Sequence, residues 1–154
     1  AEEIRVLIHP TSTVHSLIRT LDGALYAQLS APDMKNPIIN ALSYPKIYQS
    51  DFAPLDLAGK KLEFFNPEEE RYPLLFLAFE VCRRGGAYPT AYNAANEVAV
   101  AAFIEGRLDY PGISRLVDKV LQQDWSDECG DVDQILEIDT RIRQASQRLL
   151  QELR

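Results

Sequence analysis

The chain has 154 residues, enough for a real core, and with 46 % apolar and 25 % charged residues it has the balance of an ordinary globular protein. Sixteen basic against 23 acidic residues give a formal net charge of −7, which repels nucleic acid and anionic membranes, and Arg71, Arg83, Arg84, Arg141, Arg143 and Arg148 are scattered among acids rather than gathered in a patch. No apolar run approaches the roughly 18 residues of a membrane-spanning helix, and the acidic opening from Ala1 to Arg5 is unlike a secretory leader.

Ile4 to Ile8 reads as a short buried strand, and His9 to Thr13 as a loop around Pro10. Val14–Leu21 and Ala24–Ser30 read as two strands of a β-hairpin closed by Asp22-Gly23, since a type I′ turn needs positive φ at both central residues. That turn pairs Leu17 with Gln28, Arg19 with Tyr26 and His15 with Ser30. It also puts Ser16, Ile18 and Thr20 on a buried face with Leu25, Ala27 and Leu29, unless a bulge swaps the faces. Asp33 to Leu42 reads as a short helix with Asp33 at its start. From Tyr44 to Arg71, Pro45, Pro54, Gly59 and Pro67 break the pattern, and only Leu62 to Phe65 resembles a strand.

The remainder is helical. Tyr72–Arg84 stops at Gly85-Gly86, and Ala91–Glu105 follows Thr90 as N-cap and stops at Gly106. Pro111 opens a third helix. Asp131–Arg154 carries Ile135, Ile138, Ile142, Ala145, Leu149 and Leu153 on one stripe. The second of these helices is apolar nearly all round, which makes it central. The fold class is therefore α+β: short strands with a hairpin in 1–44, a linker over 45–71 and a four-helix bundle over 72–154.

Candidate chemistry is sparse. His9 and His15 are the two histidines, and on an extended strand they would stand ~20 Å apart, too far to share a metal. His15 with Ser12 or Ser16 could serve acid–base chemistry or a small hydrolase, but no third group orients it, and the residues alone favour a hydrogen-bonded structural histidine. Asp124, Ser126 and Glu128 mimic the start of a calcium loop, yet Cys129 stands where that loop needs glycine. Asn93, Asn96 and Glu97 form a polar ridge at i, i+3 and i+4, read as a structural network that ties the bundle to the preceding domain. Cys82 and Cys129 fit no zinc spacing and read as free thiols of a reducing cytoplasm. The seven glycines form neither a G-x-G-x-x-G turn nor a P-loop.

The run Ile8-His9-Pro10-Thr11-Ser12-Thr13-Val14-His15-Ser16 resembles the I-H-P-x-S-x-V-H-S motif of the deoxyxylulose-phosphate reductoisomerases. Asp22-Gly23, Ala27-Gln28-Leu29, Pro32-Asp33-Met34, Pro54-Leu55-Asp56, Arg71-Tyr72-Pro73 and Asn93-Ala94-Ala95-Asn96-Glu97 continue the match in order along nearly the whole chain. Thr11 departs from the glutamine frequent there.

The resemblance implies conversion of 1-deoxy-D-xylulose 5-phosphate into 2-C-methyl-D-erythritol 4-phosphate in non-mevalonate isoprenoid biosynthesis, with NADPH and Mg2+ or Mn2+, by a cytoplasmic homodimer. It makes residues 1–44 the end of an α/β catalytic domain. It also implies that the metal ligands, the phosphate-binding residues and the NADPH-binding domain belong to N-terminal regions upstream of Ala1. On that basis no catalytic or metal-binding residue is expected in this chain, no cofactor is expected to bind it alone, and the isolated chain is expected to be inactive. Ser12 and His15 match positions lining the active-site cavity, and Pro32 and Met34 match apolar residues near the nicotinamide. The competing expectation is a stand-alone binding or scaffold protein that reuses this half of the fold.

Overall fold

A computed structural model describes residues 4–47 and 54–153. They form strands β1 (Val14–Arg19) and β2 (Leu25–Leu29) and helices α1 (Lys35–Ser43), α2 (Pro73–Arg84), α3 (Tyr88–Ile104), α4 (Tyr110–Leu121) and α5 (Val132–Glu152). The architecture is α+β, as expected. Contacts divide it into two compact units, Arg5–Pro67 and the helical part from Glu68 onward.

In the first unit β1 and β2 pair antiparallel, but not through a type I′ turn. Gly23 N donates to Thr20 O and Thr20 N to Ala24 O, both at 3.0 Å, so Leu21, Asp22 and Gly23 together close the hairpin. Only Gly23 of the Asp-Gly pair has positive φ, at +86°, the pattern of a type I turn followed by a left-handed glycine. The Asp22 carboxylate accepts from the Thr20 hydroxyl and from Ala24 N, which holds its carboxyl below the usual range. The extra loop residue moves the register by one, so Leu17 faces Ala27 and Arg19 faces Leu25. Ile18 now pairs with Tyr26, and both are exposed (65 % and 64 %) where burial of Ile18 was expected.

Ile4 to Ile8 is likewise no buried strand. Ile8 alone forms an antiparallel bridge, with Phe65 (N–O 2.9 and 3.0 Å), because a ladder needs a neighbouring backbone and only that residue supplies one among those described. The stretch 45–71 therefore does more than link: its Phe65 end is bonded into the first unit. Residues 48–53 of it lie outside the described part.

The second unit is the four-helix bundle α2–α5. α2 ends on Gly85, whose N–H donates to Val81 O at 3.1 Å. α3 begins at Tyr88 rather than Ala91, and Thr90 lies inside it instead of capping it. Pro89 accounts for the earlier start, since its missing N–H costs nothing in a first turn, and Ala87 N donates to Trp125 O at 3.1 Å. At the other end Arg107 N donates to Ala102 O (2.8 Å) and Gly106 N to Phe103 O (3.0 Å), a Schellman closure that requires the φ of +71° at Gly106. The Asp109 carboxylate caps α4 by accepting from Gly112 N at 2.8 Å, and Asp131 caps α5 by accepting from Gln134 N at 2.8 Å.

α3 packs against α2, α4 and α5. Ala91, Ala94, Ala95, Ala99 and Ala102 are fully buried on it, small residues that let its neighbours approach closely. Leu116, Val117 and Val120 of α4 and Ile142 and Leu150 of α5 fill the space around them. On α5 the buried set is Ile138, Ile142, Ala145, Ser146 and Leu150, and Ile135 is left 38 % exposed. Leu149 and Leu153 of the expected stripe pack against the core partly buried, and the face is wider than one line, since Ser146 and Leu150 beside them are buried as well. Trp125, 5 % exposed, donates its indole N–H to Val120 O at 2.7 Å and fixes the loop after α4.

Candidate functional site

The loop before β1 is held from two sides. Ser12 N donates to His9 O at 3.0 Å, closing a turn over Pro10 and Thr11, and Ser12 takes a left-handed φ of +47°. Such a conformation is uncommon for a residue other than glycine and persists where its surroundings fix it. His9 supplies part of that fixing. Its Nδ1 lies 2.8 Å from Glu63 O, its Nε2 lies 3.0 Å from Thr11 Oγ1, and its ring stacks on Phe64 with centroids 4.7 Å apart. Thr13, the buried residue of this unit among those described (7 % exposed), donates to Thr11 Oγ1 at 3.3 Å.

At His15 the strand bulges. Val14 pairs with Leu29 and Ser16 with Gln28, so His15 is the extra residue on β1. A bulge re-aims a side chain, and here the imidazole Nε2 meets Ser30 Oγ at 2.8 Å. The closeness of His15 and Ser30 expected from regular pairing is thus present by a different route, because Ser30 N donates to Thr13 O instead. Ser12 and His15 are both exposed, and no hydrogen bond joins them among the described residues. Ser12 and His15 are thus not assembled as a nucleophile pair, and the two histidines engage separate partners.

Pro32 is exposed. Met34 is 70 % exposed at the entrance to α1, where the Asp33 carboxylate accepts from Lys35 N at 2.9 Å. Both apolar residues stay open to a neighbour. Sequence reasoning missed Glu63 and Phe64 as partners of His9, because nothing local links positions 54 residues apart.

In the bundle the polar ridge closes on α5. Asn93 Nδ2 donates to Glu97 Oε1 at 3.0 Å, and Arg143 Nη2 donates to Glu97 Oε2 at 2.7 Å. Asn96 is half-buried beside them. The bonds from Arg143 and then Asn93 hold the Glu97 carboxyl below its ordinary range, and the Asp139 and Glu97 carboxylates raise Arg143. Cys82 and Cys129 are free. Among the described residues no three of His, Cys, Asp and Glu stand close enough together to hold a metal ion, so these residues do not by themselves fit a metal centre.

Fold and loop together define a class: an α+β chain that joins a histidine-bearing hairpin unit to an alanine-centred helical bundle. The family described as DXP reductoisomerase C-terminal domain matches residues 29–145. A 1-deoxy-D-xylulose 5-phosphate reductoisomerase of Treponema denticola is 43 % identical over 143 residues, 92 % of this chain and 38 % of that protein. The one from Cupriavidus metallidurans is 43 % identical over 154 residues, 99 % of this chain and 39 % of its own length. The solved structure of the Zymomonas mobilis reductoisomerase in complex with NADPH superposes with a TM-score of 0.90 at 35 % identity, covering 97 % of this chain and 40 % of that one. A DOX-P reductoisomerase in complex with NADPH, fosmidomycin and magnesium gives 0.86 at 37 % identity, covering 99 % and 40 %. The chain belongs to the DXP reductoisomerase C-terminal domain family. It spans about two fifths of the length of these relatives, 38 % to 40 %.

Proposed function

We propose that this chain is the C-terminal portion of a 1-deoxy-D-xylulose 5-phosphate reductoisomerase: the end of a catalytic domain over 1–44, a linker over 45–71 and a bundle over 72–154. The family match over residues 29–145 carries the reading. In the whole enzyme NADPH and a divalent metal serve the conversion to 2-C-methyl-D-erythritol 4-phosphate, and their binding groups come from polypeptide outside these residues. Ser12 and His15 wall the substrate cavity, and Pro32 and Met34 supply apolar contact near the nicotinamide. The first unit supports this division of labour. It leaves Ile18, Tyr26, Met34, Leu42 and Tyr44 exposed, an apolar surface that suits cover by further polypeptide.

The same exposure favours a homodimer through this unit, and the free thiols of Cys82 and Cys129 fit a cytoplasmic setting. The test is a fusion. The chain alone, given 1-deoxy-D-xylulose 5-phosphate, NADPH and manganese, leaves NADPH absorbance unchanged. Fused behind the polypeptide that precedes the matched segment in the Zymomonas mobilis relative, it consumes NADPH with substrate and metal. Turnover by the isolated chain, or an inert but folded fusion, overturns the reading.

A further inference from the structure

We infer that Ser30 is a positioning residue that holds His15 in its Nε2–H tautomer and leaves Nδ1 as the acceptor offered to a ligand hydroxyl. The offer to a ligand rests on the reading of His15 as a cavity residue, whereas the tautomer rests on geometry alone.

Ser30 Oγ lies 3.1 Å from Ala31 O and 2.8 Å from His15 Nε2. A hydroxyl has one proton and a carbonyl only accepts. The one arrangement that makes both contacts hydrogen bonds sends that proton to Ala31 O, with Ser30 Oγ accepting from His15 Nε2–H. In a neutral imidazole the second nitrogen is then a bare acceptor, and no described residue bonds to Nδ1 of His15. The bulge makes this contact possible, because in the observed three-residue-loop register unbroken pairing would set His15 opposite Leu29, whereas the bulge gives Leu29 to Val14 and leaves His15 to meet Ser30.

His9 takes the opposite form by the same reasoning. Glu63 O only accepts, so Nδ1 carries the proton, and Nε2 accepts from the Thr11 hydroxyl, which itself accepts from Thr13. The chain's two histidines thus stand as opposite tautomers six residues apart, and one serves as the internal reference for the other. A neutral His15 in this form accepts a hydrogen bond from a polyol hydroxyl or a water at Nδ1 and does not donate one there.

The experiment is imidazole 15N–1H correlation spectroscopy on the 154-residue chain, at about pH 8.5, where ordinary histidines are neutral. His9 is expected as Nδ1–H and His15 as Nε2–H. A free imidazole already favours Nε2–H modestly, so the decisive reading is a change. Ser30→Ala should raise the Nδ1–H share of His15 about fivefold, the factor that loss of one ordinary hydrogen bond gives, while His9 stays as it was. Ser30→Thr, which keeps the hydroxyl, should restore the wild-type ratio. A dominant Nδ1–H form of His15 in the wild type, an unchanged ratio in Ser30→Ala, or a joint drift of both histidines in Ser30→Ala and Ser30→Thr alike overturns the assignment. No step needs catalysis, so this outcome is separate from that of the fusion.

Discussion

Arg143 on α5 binds Glu97 on α3 through Nη2 at 2.7 Å while its Nε holds Asp139 at 2.6 Å, so one guanidinium ties two helices across 46 residues of sequence. Both partners are partly exposed, with side chains at 39 % and 53 %, and an exposed pair contributes little beyond fixing geometry. Its signature is therefore its pH dependence.

A carboxyl whose folded pKa is depressed adds its stability in full above the unfolded value, here an ordinary 4.5, and loses it as pH falls through the lower folded value. Glu97→Gln should thus lower the urea midpoint slightly at neutral pH. The gap to wild type should shrink below about pH 4.5 and vanish in stronger acid. A gap that is the same at neutral and strongly acid pH would contradict the role given to Arg143.

The bundle core gives a larger effect. Leu116 is fully buried against α3, and Leu116→Ala should cost about 2–5 kcal/mol, loss of transfer energy plus a cavity. Ile104→Ala, at a site 76 % exposed, should stay within about 0.5 kcal/mol. The single tryptophan, Trp125, sits in the core and reports both melts by fluorescence.

The cap on α4 separates hydrogen bonding from charge. Asp109→Ala removes the acceptor for Gly112 N and should cost about 1 kcal/mol. Asp109→Asn keeps that acceptor and loses the ion pair with Arg115 (2.6 Å), which is exposed on both sides, so most of the stability should remain. Equal losses in the two variants would mean that the ion pair, not the cap, matters.

Hydrogen exchange should divide the chain. Every buried apolar residue among those described lies between Val81 and Leu150, while residues 5–67 contribute Thr13 alone to the buried set. Amides of β1 and β2 are expected to exchange orders of magnitude faster than those of α3 and α4, since little burial opposes local opening. Comparable protection in both units would refute this contrast.

Short-range sterics made much of the fold legible in advance. Gly85 and Gly106 stop helices because a left-handed φ suits glycine there, and Ile138, Ile142 and Ala145 fall on one helical face by arithmetic. The I-H-P-x-S-x-V-H-S resemblance, too, was a property of neighbouring letters. Thr90 misled, because a hydroxyl signals a cap only if the backbone before it is not already helical, and Pro89 made it so.

What the sequence could not decide were the relations that depend on a distant partner or on a single residue of register. Asp22 and Gly23 signal a turn, but the grip of Asp22 on Thr20 and Ala24 selects three loop residues over two, and that choice turns Ile18 to solvent. The bulge that aims His15 at Ser30, the seat of His9 on Phe64 and the choice of Arg143 by Glu97 exist only once the backbone has brought those residues together. Local letters set where elements begin and end, because those limits depend on a few adjacent dihedrals. Tertiary structure set which side chains meet, because contact energy depends on distance in space and not on separation along the chain.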